Sequence, residues 1–193
     1  MFGSTATGWR VVRATVLVSL LSVATWQVAA QAQPGIETAF LAYAEATKSY
    51  DTRQMTELMH PDALKRFRTT IDAALRGSKK DLAATELLPL FSVTSAADFA
   101  QLTDVEVYKR LNDTIARTAP ALVDMMSKAK FEMLGSFLKD DLAYVNYNLE
   151  ITVDGKAIST QVVQTLKMHD GKWLLMLPSK AEASIAGIEA RFQ

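Results

Sequence analysis

A strict alternation of residue types from Ala143 to Val153 constrains the fold of this chain more than any other feature of its sequence. The odd positions are apolar or aromatic, whereas the even positions carry Tyr, Asn, Glu and Thr. A period of two predicts an antiparallel β-strand with one buried face and one face in water. The dipeptides Asp154-Gly155 and Asp170-Gly171 separate this strand from two further apolar runs, which predicts tight hairpin turns. We therefore expect a three-stranded meander, preceded by another strand over Phe131–Leu138.

The chain before these strands has the residue spacing of helices. Mostly apolar residues three or four apart run from Ile36 to Thr47, from Leu64 to Leu75 and from Tyr108 to Ile115, which predicts helices with one buried face. The apolar stretch from Leu82 to Phe91 surrounds a proline and fits no single period. Helices that cover one face of an antiparallel sheet define an α+β domain. We therefore predict N-terminal helices packed on one face of a curved antiparallel β-meander, with a short C-terminal helix.

The first 32 residues have the pattern of a secretory signal peptide. Arg10 and Arg13 precede an apolar run from Ala14 to Ala24, and no acidic residue occurs before it. Small residues then allow cleavage after Ala30 or after Ala32. The alternative is an uncleaved membrane anchor, but this run is short and diluted by Ser and Thr, against the ~20 apolar residues that a span needs. We expect a periplasmic or secreted protein, with residues 33–193 forming a single domain and no membrane span after cleavage.

Composition excludes several classes of function. The 193 residues contain 21 Lys and Arg against 21 Asp and Glu, with no Cys and two His. Without Cys there is no disulfide, thiolate metal site or thiol nucleophile. A chain with no net charge lacks the basic field that nucleic-acid binding requires. His60 and His169 are far apart in sequence, and no third ligand is marked by spacing, so we predict neither a metal site nor a cofactor.

Three segments carry a resemblance to a known superfamily. They are Ala39–Tyr43 in the first helix, Leu58–Asp62 after the second, and Asp170–Trp173 at the final hairpin. With helices followed by a long meander, the chain resembles the nuclear transport factor two-like, cystatin-related superfamily, which includes ketosteroid-isomerase-like proteins. The resemblance implies a curved sheet around a conical pocket and covers nearly all of residues 33–193. The region from Leu82 to Pro120 and the helix after Pro178 are longer than that pattern, and either would fill or cover the pocket.

A buried amide and several aromatic residues are candidates for the lining of such a pocket. Gln164 shares one face of its strand with mostly apolar residues, and a buried amide without partners costs ~1–3 kcal/mol. Gln164 therefore either points into a ligand pocket or bonds to a neighbouring backbone group or tyrosine hydroxyl. The tyrosines and the tryptophan either line the same pocket or belong to the plain core. The predicted lining comprises Tyr43, Tyr108, Tyr147, Gln164 and Trp173.

The sequence contains one candidate general base. His60-Pro61-Asp62 joins two predicted helices, and a carboxylate beside a histidine can orient it for proton transfer. The same residue types also suit a helix start, where proline and an acidic residue are both favoured. The resemblance to ketosteroid-isomerase-like proteins implies an Asp base on the sheet. Here Asp154 and Asp170 lie in predicted turns, which argues against that chemistry.

Three functional hypotheses follow. The preferred one is an exported, non-catalytic domain that binds an apolar small molecule or an envelope protein. The second is an enzyme of the isomerase or hydrolase kind, in which His60, Tyr43 and Gln164 converge on one cavity. The third is a structural role, as a subunit of an envelope complex or as a homodimer. The resemblance implies that the homodimer would form through the outer face of the sheet. That face carries Tyr144, Asn146, Asn148, Val163 and Thr165.

Overall fold

The computed structural model describes residues 35–192, in which seven helices precede four strands and one helix follows them. The predicted signal peptide lies outside the described residues. The helices are Ile36–Ser49 (α1), Thr52–Glu57 (α2), Pro61–Arg76 (α3), Lys80–Leu87 (α4), Ala96–Ala100 (α5), Asp104–Thr118 (α6), Pro120–Ser127 (α7) and Ser179–Phe192 (α8). The strands are Lys130–Lys139 (β1), Leu142–Val153 (β2), Lys156–His169 (β3) and Lys172–Leu175 (β4). The predicted α+β class is confirmed.

The strands form one antiparallel sheet in the order β1-β2-β3-β4. Each connection is a two-residue turn, and the first turn residue has a positive φ of 58° at Asp140, 51° at Asp154 and 48° at Asp170. Gly155 and Gly171 follow at 74° and 77°. Positive φ at both central residues is the geometry of turns that match the twist of a hairpin. The meander predicted from the two Asp-Gly dipeptides is therefore confirmed.

The alternation on β2 sets which face of the sheet is buried. Val145 and Tyr147 are almost fully buried, together with Leu166 of β3 and Leu175 of β4. The helices cover this face with aromatic side chains, and Phe40 of α1 lies 4.9 Å from Tyr147 between ring centroids. Val153 on the same face remains 37% exposed, which shows that the helical cover ends before the β2–β3 turn. One half of the long β2–β3 hairpin therefore extends beyond the helical layer.

The region from Leu82 to Phe91 packs among the helices and contributes to the hydrophobic core. It forms the end of α4 and then a 3-10 turn over Leu88–Phe91, in which proline occupies an early position. Phe91 is fully buried, and its ring centroid lies 5.0 Å from that of Phe99 in α5. The apolar residues of this segment fit no single period because the chain changes from an α-helix to a 3-10 turn at Leu88. The extra helical residues contribute to the core rather than framing an open cavity on the inner face.

The last helix closes the helical layer by side-chain contacts with α3 and α4. Ile185 and Phe192 are buried, and an ion pair of 2.9 Å joins Arg66 of α3 to Glu189 of α8. Phe192 also approaches the end of α3 so closely that a Cβ added at Gly77 would lie 3.0 Å from its carbonyl oxygen. A side chain at Gly77 would therefore crowd the backbone at the end of α8.

Two valines on the same face of β2 test where the helical cover ends. We expect Val145→Ala to lower the free energy of unfolding by about 2 kcal/mol, because it removes two buried carbons and leaves a cavity. Val153→Ala should change it by less than about 0.5 kcal/mol, since that side chain is already partly in water. Urea denaturation of both variants measures the difference, and equal losses would contradict the fold.

Candidate functional site

A groove of about 500 Å³ lies between α1, α2 and the β3–β4 hairpin. Ala39 of α1 and Leu58 after α2 form part of one wall. Met168 of β3 and Trp173 of β4, which pair across the hairpin, form part of the other. The groove thus lies where the first helices meet the last strand, at the edge of the sheet.

Two local features hold this groove in shape. Gly35 precedes α1 with a φ of 102°, and a Cβ there would lie 3.4 Å from Cδ1 of Trp173. The second feature is a parallel bridge between the α2–α3 connection and β4. The Leu175 N–H donates to the Leu58 oxygen, and the His60 N–H donates to the Leu175 oxygen, both at 2.8 Å. These bonds fix the connection against the sheet edge, so the groove has a rigid backbone on that side.

The groove has an apolar floor and a polar rim. Its apolar lining includes the Trp173 indole, while Gln54, Glu57 and Lys172 supply amide, carboxylate and ammonium groups. Concave sites for small molecules combine apolar walls with a few polar groups in this way. Within residues 35–192 no group of three or more His, Cys, Asp or Glu side chains is arranged to hold a metal ion. The chemistry on offer is therefore apolar contact with hydrogen bonding at one margin.

Of the five predicted lining residues, Trp173 lines this groove and the other four lie elsewhere. The tyrosines belong to an aromatic cluster beneath the sheet, in which Tyr147 stacks 5.8 Å from Phe131 and Tyr43 meets the same ring edge-on. Tyr108 packs edge-on against Phe67. Burial raises the pKa of Tyr108 to about 12 and also raises the pKa of Tyr43 and of Tyr147. These phenols remain protonated at neutral pH and serve the core.

Gln164 bonds to the backbone. Its side chain is 1% exposed, and its Nε2 donates to the Thr165 oxygen at 2.9 Å and to the Met176 oxygen at 2.8 Å. Its Oε1 has no hydrogen-bond partner among the described residues. The sequence left open whether Gln164 points into a ligand pocket or bonds to neighbouring groups, and the structure shows it bonded to the backbone. The amide ties β3 to the chain just after β4, where the regular ladder has ended.

His60 caps α3. Its Nδ1 accepts a hydrogen bond of 3.0 Å from the Asp62 N–H, which satisfies a backbone donor that a helix start otherwise leaves free. The Asp62 carboxylate accepts from Lys167 Nζ at 2.9 Å. The sequence predicted a helix start here through proline and the acid, but it did not identify the histidine as the cap. It also gave no signal that the His169 ring lies 5.3 Å from the His60 ring.

The surroundings of His60 favour its neutral form. Burial lowers the pKa of His60, and the charges of Lys167 and His169 lower it further, while the Asp62 carboxylate acts in the opposite direction. The Lys167 hydrogen bond lowers the pKa of Asp62. A neutral imidazole keeps Nδ1 free to accept the Asp62 N–H, so the cap depends on this protonation state.

The remaining candidates of the catalytic hypothesis are also held by structural contacts. Tyr43 packs on α1 against Phe131, and Gln164 bonds to two backbone carbonyls on the sheet. Neither these residues nor His60 line the Trp173 groove.

None of the helices in residues 35–192 is long and apolar enough to cross a membrane.

Acidification should destabilise the fold through His60. Because its folded-state pKa lies below the usual value of about 6.5, the unfolded chain binds more protons and stability falls as the pH drops below that value. Losing the cap costs about 1 kcal/mol. His60→Asn keeps an acceptor at the cap without titrating, so its denaturation midpoint should change less between pH 7.5 and pH 5. His169→Asn is the control and should retain most of the native pH dependence. An unchanged pH dependence in His60→Asn would contradict this role.

The comparisons with known proteins find no relative. No family model, no curated protein and no solved structure matches the chain.

Proposed function

We propose that this protein is an exported, non-catalytic binding domain that holds a small amphipathic molecule in the Trp173 groove. The observation that carries the proposal is the groove itself, with its indole floor and polar margin at the junction of α1, α2 and β4. Export is supported by the N-terminal sequence, and the order of helices and strands supports a relationship to the transport-factor-like superfamily.

The size of the groove suits a small molecule. Its volume of about 500 Å³ falls within the roughly 300–1,000 Å³ that ligand pockets occupy. An envelope protein is the other occupant suggested by the sequence, but a stable protein interface buries roughly 800 Å² on each partner. A protein would thus need contacts well outside the groove, whereas a small molecule needs none.

The lining indicates the chemistry of the ligand. Trp173, which is 9% exposed, contributes a small apolar area, and Leu58 and Met168 add aliphatic and thioether contacts. Glu57 and Lys172 have opposite charges, so the margin offers a partner to a polar end of either sign. We therefore propose a molecule with an apolar body and a single polar end, which would lie near Gln54 and these two residues.

The groove's own tryptophan provides a direct binding test. Trp173 is the sole tryptophan of residues 33–193, because Trp9 and Trp26 lie in the predicted signal peptide. Titration with 8-anilinonaphthalene-1-sulfonate should quench Trp173 fluorescence and transfer energy to the bound dye. We expect Thr38→Phe, which places a ring in the groove lining, to weaken binding at least tenfold.

Leu41→Phe is the matched control for this titration. It adds the same ring to the same helix, but Leu41 is 54% exposed and does not line the groove. Its dye affinity should equal that of the native protein. The proposal fails if the dye does not quench Trp173, or if both phenylalanine variants bind it as well as the native chain. Thermal melts of each variant confirm that the fold is retained.

A further inference from the structure

The first half of β3 has an open edge. Strand β4 pairs with β3 only from Leu166 to His169, and the Met176 N–H then donates to the Thr165 oxygen at 2.9 Å. From Lys156 to Gln164 the strand pairs with β2 on one side. On its other side no described segment forms a backbone hydrogen bond with it. Residues 156–161 are all exposed, so this edge faces water.

The direction of the free backbone groups follows from the ladder. The Thr165 oxygen points towards β4, because it accepts from Met176. In an antiparallel ladder every second residue directs its N–H and C=O to the same side. The N–H and C=O groups of Ala157, Ser159, Gln161 and Val163 therefore point outward along the open edge. Each residue brings one donor and one acceptor, which together form a template for another strand.

We propose that a second copy of this chain pairs with this edge, β3 against β3, antiparallel about a two-fold axis at Thr160. In this register Ser159 lies opposite Gln161 of the second copy, and Ala157 lies opposite Val163 of the second copy. All the outward backbone groups of both copies then bond to one another. A slip of two residues in either direction would leave some of them unpaired.

The side chains of the edge are self-complementary in the same register. On the inner face Ile158 meets Val162 of the second copy, and the two Thr160 side chains meet at the axis. Thr-Thr pairs and pairs of β-branched residues stabilise neighbouring strands. On the outer face Ser159 meets the polar Gln161. Ile158 on the apolar inner face is 47% exposed. In the proposed pairing it would lie against the second strand.

Charge is compatible with this pairing. Lys156 is the only charged residue between Lys156 and Thr165. In the proposed register it lies opposite Gln164 of the second copy, so the two Lys156 side chains are at opposite ends of the contact. The edge therefore has no like-charge pair to oppose association.

The opposite edge of the sheet shows how such an edge is normally protected. Strand β1 has a bulge at Leu134 and a lysine at each end, Lys130 and Lys139. Bulges and edge lysines both prevent pairing with another chain. The first half of β3 is regular, contains no proline and carries its single lysine at its start. Of the β1 and β3 edges in the described sheet, the β3 edge is thus the one suited to a partner strand.

A cysteine at the symmetry axis tests the register directly, because the chain contains no Cys. The protein is expressed from the complete 193-residue sequence and purified. Facing residues of a non-hydrogen-bonded pair have Cα atoms about 4.5 Å apart, which is within disulfide reach. Thr160→Cys should therefore give a disulfide-linked dimer under mild oxidation. Ser184→Cys, exposed on α8, is the control and should stay monomeric.

A second pair of variants separates association from folding. Ser159→Pro removes an outward N–H that the monomer does not use, so it should raise the dimer dissociation constant at least tenfold in sedimentation equilibrium. Ser159→Ala should leave that constant within threefold, and circular dichroism should show an unchanged fold for both. The proposal is overturned if the native protein is monomeric up to millimolar concentration. A dimer that survives Ser159→Pro, or equal cross-linking through Ser184→Cys, would overturn it as well.

Discussion

Burial of one face of β2 is the constraint on which the rest of the structure depends. Because side chains alternate across a strand, Val145 and Tyr147 enter the core only if the intervening residues face outward. That choice fixes the register with β1 and β3, and the inner face then requires an apolar cover. The aromatic side chains of the helices provide it, and the added length between α3 and α6 contributes the buried rings of Phe91 and Phe99 to the same core. With the inner face filled, the Trp173 groove lies at the edge of the sheet.

Local signals in the sequence predicted most of the fold. The alternation on β2 and the two Asp-Gly turns each depend on neighbouring residues, and the structure has both. The segment from Leu82 to Phe91 was ambiguous, because its path is set by packing against other helices rather than by its own period. Propensity alone does not encode such long-range packing.

The site was less predictable than the fold, for a physical reason. Tyr43, Tyr108 and Tyr147 were predicted either to line a pocket or to belong to the core, because residue type does not distinguish the two; the structure packs them against aromatic rings of the core. Trp173 reaches the groove because the α2–α3 connection bridges to β4, a contact between distant parts of the chain. The same contact brings His60 beside His169. No spacing in the sequence marks either proximity.

The bridge between His60 and Leu175 also affects the order in which the molecule assembles. It joins an early connection to the last strand, so it closes a loop that spans residues 60–175. Contacts between residues so distant in the chain slow folding, since the entropy of loop closure is lost before they form. During synthesis α3 lacks its partner at the sheet edge until Leu175 has left the ribosome. The nascent chain therefore reaches the sheet-edge arrangement of α3 only after its last strand has been synthesised.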